Sequence, residues 1–533
     1  MLLRLRRIAI TFYPLFQIAL AGLGAAGIVL FVVSPWLVKP WEDAVILFDY
    51  SANLAKTGVI SYYPGGPRAE GATDFLWMAL LALARKIGID SFYLANLISI
   101  AAAVGIAIVL QKIARQQPRL YPTLIISGLI FLTPQTLAAV GGFSVFPFGF
   151  LIALLTWLLL EQRPAGACVT ALLLCLLRPD GIVFAVPLLA LFLFTGERRA
   201  RAVRCLILFF LLPGLAYFLW RWHYFGNLLP LPFWVKSETT RRFGLFVSND
   251  PIKGLRHLEV ALLIIAAGCG LALRLGTNLR LLSGLILIPC LFYFQMRLDQ
   301  NIGGRFFFFA YISMGILLAV NWSRRLIPSE FLLPASLALW VLAVAPFWLS
   351  VARITVTESA QRQSAIATAL GSIPGPNSMI TTEGGVLPYY SHWIAYDAWG
   401  LNTARFARHI PVPSDVAEIH PDLVVVHRVD NSPCFFDSSW QLPYETRTWE
   451  NMEKNLIAGA TAADYDLWLQ AFPAGSHKYI CWFVKRSSPN RNAVDAILSR
   501  NAFLSPVAVV HMGVQADMQR QRTGQIDVDQ RQP

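Results

Sequence analysis

Residues 8–38 read IAITFYPLFQIALAGLGAAGIVLFVVSPWLV, with no Asp, Glu, Lys or Arg, and they follow Arg4, Arg6 and Arg7. A secretory signal has an apolar core of about 7–15 residues, whereas a membrane span takes about 20. The stretch therefore predicts a retained first helix with its N-terminus in the cytoplasm. Composition points the same way. Of 533 residues, 56% are hydrophobic and 14% charged, against roughly 45–50% and about 25% for an ordinary soluble chain, and the mean hydropathy is +0.54.

Further apolar runs fall at roughly 92–111, 121–134, 146–160, 167–177, 181–195, 205–220, 258–273, 281–296, 306–322 and 331–349. Counted with the first, they predict a mainly α-helical polytopic membrane protein with about 11 transmembrane helices, a module spanning residues 1–350. Phe75–Ala84 is too short to cross and reads as an interfacial or re-entrant helix. On this scheme Lys112, Arg115, Arg119, Arg163, Arg198, Arg199, Arg201, Arg204, Arg274, Arg280, Arg324 and Arg325 all fall in cytoplasmic connections, as the positive-inside rule expects. The net charge of +13 is thus topogenic, and nucleic acid is not an expected partner. The large outer loops are 39–91 and 221–257. Residues 351–512, with a run at Leu423–Val426 and turn signals at Pro374-Gly375-Pro376, predict an extracytoplasmic α/β domain. Residues 513–533, rich in Gln, Arg and Asp, read as a disordered tail.

Seven cysteines are too few for a disulfide scaffold. Cys434 and Cys481 are the two in the outer domain, free to pair in an oxidising compartment. The histidines show no HExxH spacing, and no Walker loop, G-x-S-x-G elbow or dinucleotide fingerprint is present. Nucleotide-driven chemistry is not expected.

The polar residues gather in the outer segments. Glu42-Asp43-Ala44 directly follows the first apolar run. Adjacent carboxylates repel, so one is expected to hold a proton or find a cation, and a carboxylate at a membrane edge suits a general base for a hydroxyl nucleophile. Downstream lie Tyr50 to Leu54, Pro64 to Trp77 with Arg68 and Glu70, Arg178-Pro179-Asp180-Gly181, His223 and Tyr224 leading to Lys236, and Gly304-Arg305-Phe306. Lys236 and Arg305 each sit near a membrane boundary beside aromatic residues, where a cation meets a lipid-linked phosphate. Glu383-Gly384-Gly385, Tyr389, Tyr390, Trp393 and Trp399 follow in the outer domain, where the aromatics are either a sugar-stacking set or a core.

In this order the segments resemble bacterial membrane glycosyltransferases of the GT-C superfamily, most nearly the branch of mycobacterial terminal arabinofuranosyltransferases. That branch carries an acidic pair followed by Ala, an aromatic-x-Ala-Asn-Leu segment, a Pro-Gly-x-x-x-Glu-Gly-x-Thr-x-x-Leu-Trp loop, Arg-Pro-Glu/Asp-Gly, a Tyr-aromatic-Gly-x-x-x-Pro…Lys segment and Gly-x-Arg-Phe. The resemblance implies an inverting transfer of a sugar from a polyprenyl-phosphate donor to a hydroxyl of an envelope glycan or glycolipid. It implies a multi-pass protein of the bacterial plasma membrane, working on the extracytoplasmic face. Asp43 would be the base with Glu42 in support, Lys236 and Arg305 would hold the donor phosphate, and Arg68 and Glu70 would shape the loop over the sugar. Tyr224 and His223 would line the pocket, and Arg178 and Asp180 would brace it. No cofactor is required; a divalent cation is left open, since paired carboxylates can hold one.

Three departures stand out. A glutamate that the branch often carries in Gly-aliphatic-Glu-Thr is missing from Gly142-Phe143-Ser144-Val145, Glu42 replaces the usual aspartate, and Pro230-Leu231-Pro232 replaces Pro-Asn-Thr. A non-catalytic envelope-assembly partner and a lipid-glycan transporter or flippase are the alternatives from other classes.

Overall fold

The computed structural model describes residues 40–114, 127–133, 135–195, 199–236, 283–295, 302–324, 356–428, 434–471, 479–500 and 504–506. The chain divides into two units: residues 1–60, 72–230 and 240–360 form the first, and residues 61–71, 231–239 and 361–533 the second.

The first unit is helical, and its helices correct the eleven-span expectation. Among the described residues two helices, Ser91–Ala114 and Arg199–Phe225, are long and apolar enough to cross a membrane. The other apolar helices found are shorter: Val145–Leu160, Pro164–Leu177, Pro179–Leu193, Gly284–Tyr293 and Gly304–Val320. At about 1.5 Å per residue these fall short of a hydrocarbon core of about 30 Å. Hydropathy reads composition, but backbone events set where a helix stops. Gln162 takes a positive φ of 55° just before Pro164 opens the next helix, and a 3-10 turn, Pro179–Gly181, separates 164–177 from 182–195. A polytopic, mainly helical protein with about 11 transmembrane helices is therefore not supported; the architecture is mixed helix and sheet. The expected spans at 8–38, 258–273 and 331–349, half of 121–134 and the tail at 513–533 lie outside the described residues.

Two helices of the first unit place its acidic residues. Glu42–Thr57 carries Glu42 and Asp43 in its first turn, where the helix dipole favours carboxylates, and ends on Gly58 in the left-handed region. Phe75–Lys86, opened by Asp74, turns Trp77, Met78 and Leu81 inward. An aromatic file binds the bundle: Phe131, Phe146 and Phe308 follow one another at ring separations of 5.2 Å.

The second unit is built on a six-stranded sheet in the order β2-β1-β3-β5-β4-β6. Its strands are β1 (Ser378–Thr381), β2 (Ile394–Asp397), β3 (Leu423–Arg428), β4 (Tyr465–Ala471), β5 (Tyr479–Lys485) and β6 (Leu504–Pro506). β2, β1 and β3 run parallel, and the β3–β5, β5–β4 and β4–β6 pairs are antiparallel. β3 is the run Leu423–Val426 extended by two residues, and its first four side chains are all buried, as befits an interior strand covered on both faces. The Trp449–Ala462 helix, capped by the Thr448 side chain, lays Met452, Leu456, Ile457 and Ala460 in one core with Val424, Val426, Cys481 and Phe483. Cys434 and Cys481 are disulfide-bonded, with Cα atoms 5.8 Å apart. The two early segments join this unit through a small cluster of Ala69, Leu231, Val235 and Ala407. The Leu231 N–H also donates to the Glu70 carbonyl (3.3 Å), and the Tyr62 hydroxyl donates to the Gly384 carbonyl (2.5 Å).

Candidate functional site

The polar residues of the first unit converge on the start of the 42–57 helix. Arg305, in the 3-10 turn Ile302–Phe307, donates from Nη2 to Asp43 Oδ2 at 3.3 Å, with side chains 11% and 19% exposed. Its guanidinium lies over the Phe143 ring, 4.0 Å from the centroid. The carbonyl of Gly304 accepts from Gln135 Nε2 (3.2 Å), which fixes the turn that presents Arg305. The Nη1 of Arg305 is buried without a hydrogen-bond partner among the described residues. A buried guanidinium nitrogen in that state is costly unless something else accepts from it.

A second pair sits beside it. Arg178 follows the 164–177 helix in extended backbone and grips Asp180 with two hydrogen bonds, Nε to Oδ1 at 3.0 Å and Nη2 to Oδ2 at 2.7 Å. Asp180 also accepts from the Tyr293 hydroxyl at 2.5 Å. The Phe306 ring is shared by both cations, 5.1 Å from Arg178 and 5.2 Å from Arg305, and a ring face of this kind offsets part of the cost of burying them together.

The turn from Gly141 to Ser144 ties these parts to one another. The Gly141 carbonyl accepts from the Trp41 N–H (3.0 Å), and the Gly142 carbonyl from Trp77 Nε1 (3.3 Å). Gly142 has a φ of 105°, and a Cβ there would stand 2.6 Å from Phe48 and 3.4 Å from Ala44. Only glycine lets this backbone lie so close to the helix that carries Asp43. Phe143 supplies the ring under Arg305, and Ser144 Oγ donates to Asp74 Oδ2 at 3.2 Å.

Asp74 precedes the 75–86 helix as its N-cap residue. Desolvation holds its carboxyl above the usual carboxylate range, the charge of Asp180 adds to that rise, and Arg178, Arg305 and the Ser144 hydrogen bond pull the other way. The site thus sets three carboxylates (Asp43, Asp74, Asp180) against two guanidinium groups.

Of the residues singled out in the sequence, the first unit joins Asp43 to Arg305 and Arg178 to Asp180. Glu42 is half-buried in the same helical turn as Asp43. His223 is exposed at the end of the Leu212–Phe225 helix, while the Tyr224 hydroxyl accepts from the Ile60 N–H (3.0 Å) and its ring stacks on Trp220. Arg68, Glu70 and Lys236 belong to the second unit; Arg68 and Lys236 are exposed and Glu70 is buried. Four site residues were not singled out as candidates: Asp74, Phe143, Ser144 and Tyr293. Asp74 gave a weak signal, a helix-capping residue type directly before the apolar Phe75-Leu76-Trp77. Tyr293 was the one hydroxyl of its own short apolar stretch, Leu291 to Phe294.

In the second unit, Glu383 accepts from Gln363 Nε2 at 3.3 Å and pairs with His427 Nδ1 at 2.9 Å. Tyr389 and Trp393 lie in the core, and Trp393 Nε1 donates to the Leu370 carbonyl, so these two do not form an open stacking surface. Among the described residues no group of three or more His, Cys, Asp or Glu side chains is placed to hold a metal ion.

A family model described as a domain of unknown function (DUF8728) matches residues 352–480, the part of the chain that supplies most of the sheet. A comparison with curated proteins finds no match.

Proposed function

We propose that this chain is an inverting glycosyltransferase that moves a sugar from a polyprenyl-phosphate donor to a hydroxyl of an envelope glycan or glycolipid. The observation that carries this reading is the Asp43–Arg305 pair, in which one guanidinium holds the candidate base through Nη2 and leaves a buried Nη1 without a hydrogen-bond partner among the described residues. A phosphate oxygen of the donor would accept from that nitrogen and satisfy it. The acceptor oxygen attacks the anomeric carbon, its proton passes to the Asp43 carboxylate, and the bond from that carbon to the phosphate oxygen breaks with its electron pair leaving on the phosphate. Arg305 then stabilises the charge that develops on the leaving group. Arg178, already gripped by Asp180, braces the pocket and takes no part in the transfer. The donor's tail is apolar, so the reaction belongs at a bilayer surface, where the helices Ser91–Ala114 and Arg199–Phe225 would anchor the chain.

The test is transfer of labelled sugar from synthetic polyprenyl-phosphate sugars, arabinofuranose included, to lipid and glycan extracts. Asp43→Asn should lose roughly 10²–10⁴-fold in rate while still binding donor. An unchanged rate in that variant, or no donor binding by the wild type, would overturn the reading.

A further inference from the structure

We propose that the crevice at the carboxyl ends of β1 and β3 is a second binding site, built for a neutral, hydroxyl-rich ligand, and that its occupant is the acceptor glycan. The occupant's being the acceptor rests on the proposed reaction; the binding of a glycan does not. The chain leaves β1 for β2 on one side and comes back past β1 to β3 on the other. Connections that part in this way leave an opening beyond the ends of parallel strands, which is where such sheets bind ligands. Glu383 stands two residues beyond β1, and His427 is the penultimate residue of β3. Their side chains meet there, Glu383 Oε1 to His427 Nδ1 at 2.9 Å, and remain 11% and 24% exposed.

The strand ends hold this pair in place. The Thr382 N–H donates to the Val425 carbonyl (3.0 Å), the His427 N–H to Thr382 Oγ1 (2.8 Å) and Trp449 Nε1 to the His427 carbonyl (3.1 Å). From the Val356–Gly371 helix, Gln363 Nε2 donates to Glu383 Oε2 (3.3 Å). Gly384 comes next. A Cβ there would lie 3.4 Å from the Tyr62 hydroxyl, 3.7 Å from Asn402 Nδ2 and 3.8 Å from Asp397 Cγ, so these side chains border the same loop. Asn402 is 3% exposed, and its N–H and its Nδ2 both donate to Asp397 Oδ2 at 2.9 Å. An oxygen that accepts the backbone N–H wants a second donor and not the amide oxygen, which fixes the orientation of the Asn402 amide. Its other end, Oδ1, is buried without a hydrogen-bond partner among the described residues.

The atoms left over state the ligand's chemistry. Arg305 keeps a donor, which calls for an acceptor such as phosphate, whereas Asn402 keeps an acceptor, which calls for a ligand O–H or N–H. A phosphate-bearing ligand would meet the Glu383 carboxylate, and the His427 and Gln363 donors on that carboxylate weaken its pull on a free cation. A sugar brings several hydroxyls on a compact frame and no charge, which matches a carboxylate, an amide oxygen and an imidazole set around one loop.

The experiment is calorimetric titration of the full chain with neutral oligosaccharides cut from the envelope glycan, with inorganic phosphate and spermidine as the charged alternatives. The oligosaccharides should bind, and Glu383→Gln should weaken them roughly tenfold to a hundredfold. Binding of none of them, equal affinity in Glu383→Gln, or their displacement by phosphate or spermidine would each overturn the inference. Should Glu383→Gln not fold, amide exchange of the wild type decides alone: bound oligosaccharide should slow exchange at 382–385, and unslowed exchange there places the ligand elsewhere and ends the proposal. In the transfer assay Glu383→Gln should raise the KM for acceptor and spare the rate at saturating acceptor, and an unchanged KM would show that the bound glycan is not the acceptor. If Asp43→Asn is inactive while Glu383→Gln binds and transfers as the wild type does, the inference fails and the proposed reaction stands. If Asp43→Asn is as active as the wild type, the proposed reaction fails, and glycan binding stands or falls by the titration.

Discussion

Arg305 in the first unit and Arg447 in the second are both nearly buried, yet they are used in opposite ways. Arg447, 1% exposed, donates to three backbone carbonyls, those of Trp399 (2.9 Å), Phe406 (2.9 Å) and Ala407 (3.2 Å). It serves as a clamp on the loop and short helix that follow β2. Arg305 makes one carboxylate contact, rests on two aromatic rings and keeps a buried nitrogen open among the described residues. Burial alone therefore does not mark a functional cation. What distinguishes the two is whether the fold itself consumes the donors.

The contrast can be attacked through stability. The largest expected effect belongs to the disulfide. In the chain-entropy view a crosslink closing a 47-residue separation contributes about 4 kcal/mol. Cys434→Ser with Cys481→Ser should lower the denaturant midpoint of the second unit and leave the helical unit's transition in place. A single shared shift of both transitions would show that the two regions do not unfold independently.

Arg447→Met comes next. Leaving three buried carbonyls without their charged donor should cost about 3 kcal/mol, with no direct effect on donor binding. Arg305→Met should do the reverse, changing stability by less than about 1 kcal/mol while abolishing retention of a polyprenyl-phosphate probe, because sites built for function carry stability costs that substitution relieves. Equal destabilisation by both variants would erase the distinction.

The smallest effect sharpens the comparison within the first unit. Asp49 is 4% exposed, and desolvation raises its carboxyl well above the ordinary range, with Arg85 opposing. A carboxyl raised in the folded state binds its proton more tightly there than in the unfolded chain. Its contribution is therefore fully favourable below the unfolded value near 4 and is lost as the pH rises through the folded one. Asp49→Asn should accordingly stabilise the chain at pH 8, and the gain should vanish near pH 4. Thermal melts at the two pH values would check it, and an equal change at both would mean that Asp49 is held ionised.

Some of this site was legible from the residues alone. Asp43 and Arg305, 262 positions apart, were both selected for their chemistry and meet in an ion pair. Arg178 and Asp180 were readable because their partnership is local, two residues apart within one turn. Asp74 and Ser144 were not, since a loop carboxylate and a turn hydroxyl 70 residues away become partners only through the packing of two helix starts. In the second unit Leu423–Val426 reads as a strand because Val repeats suit an interior position, whereas Tyr389 and Trp393 gave no sign of which side they face. The largest misreading concerned helix length. Apolar composition over 146–160 or 167–177 looks like membrane, but helices of 16 and 14 residues are also what a packed helical core uses, and composition does not separate the two.

The assembly of the second unit from distant stretches has a consequence in time. Tyr62 is synthesised 322 residues before the Gly384 carbonyl it serves, and at roughly 5–20 residues per second that interval is on the order of 15–65 s. Throughout it the 61–71 segment waits for a sheet that has not yet been translated, as does 231–236 for Ala407. Contacts of such sequence separation form late and carry a high loop-closure cost. The early segments must therefore tolerate a long unpartnered interval during biosynthesis, which suits the glycine, proline and polar residues of Tyr63-Pro64-Gly65-Gly66-Pro67-Arg68 better than it would suit an apolar strand.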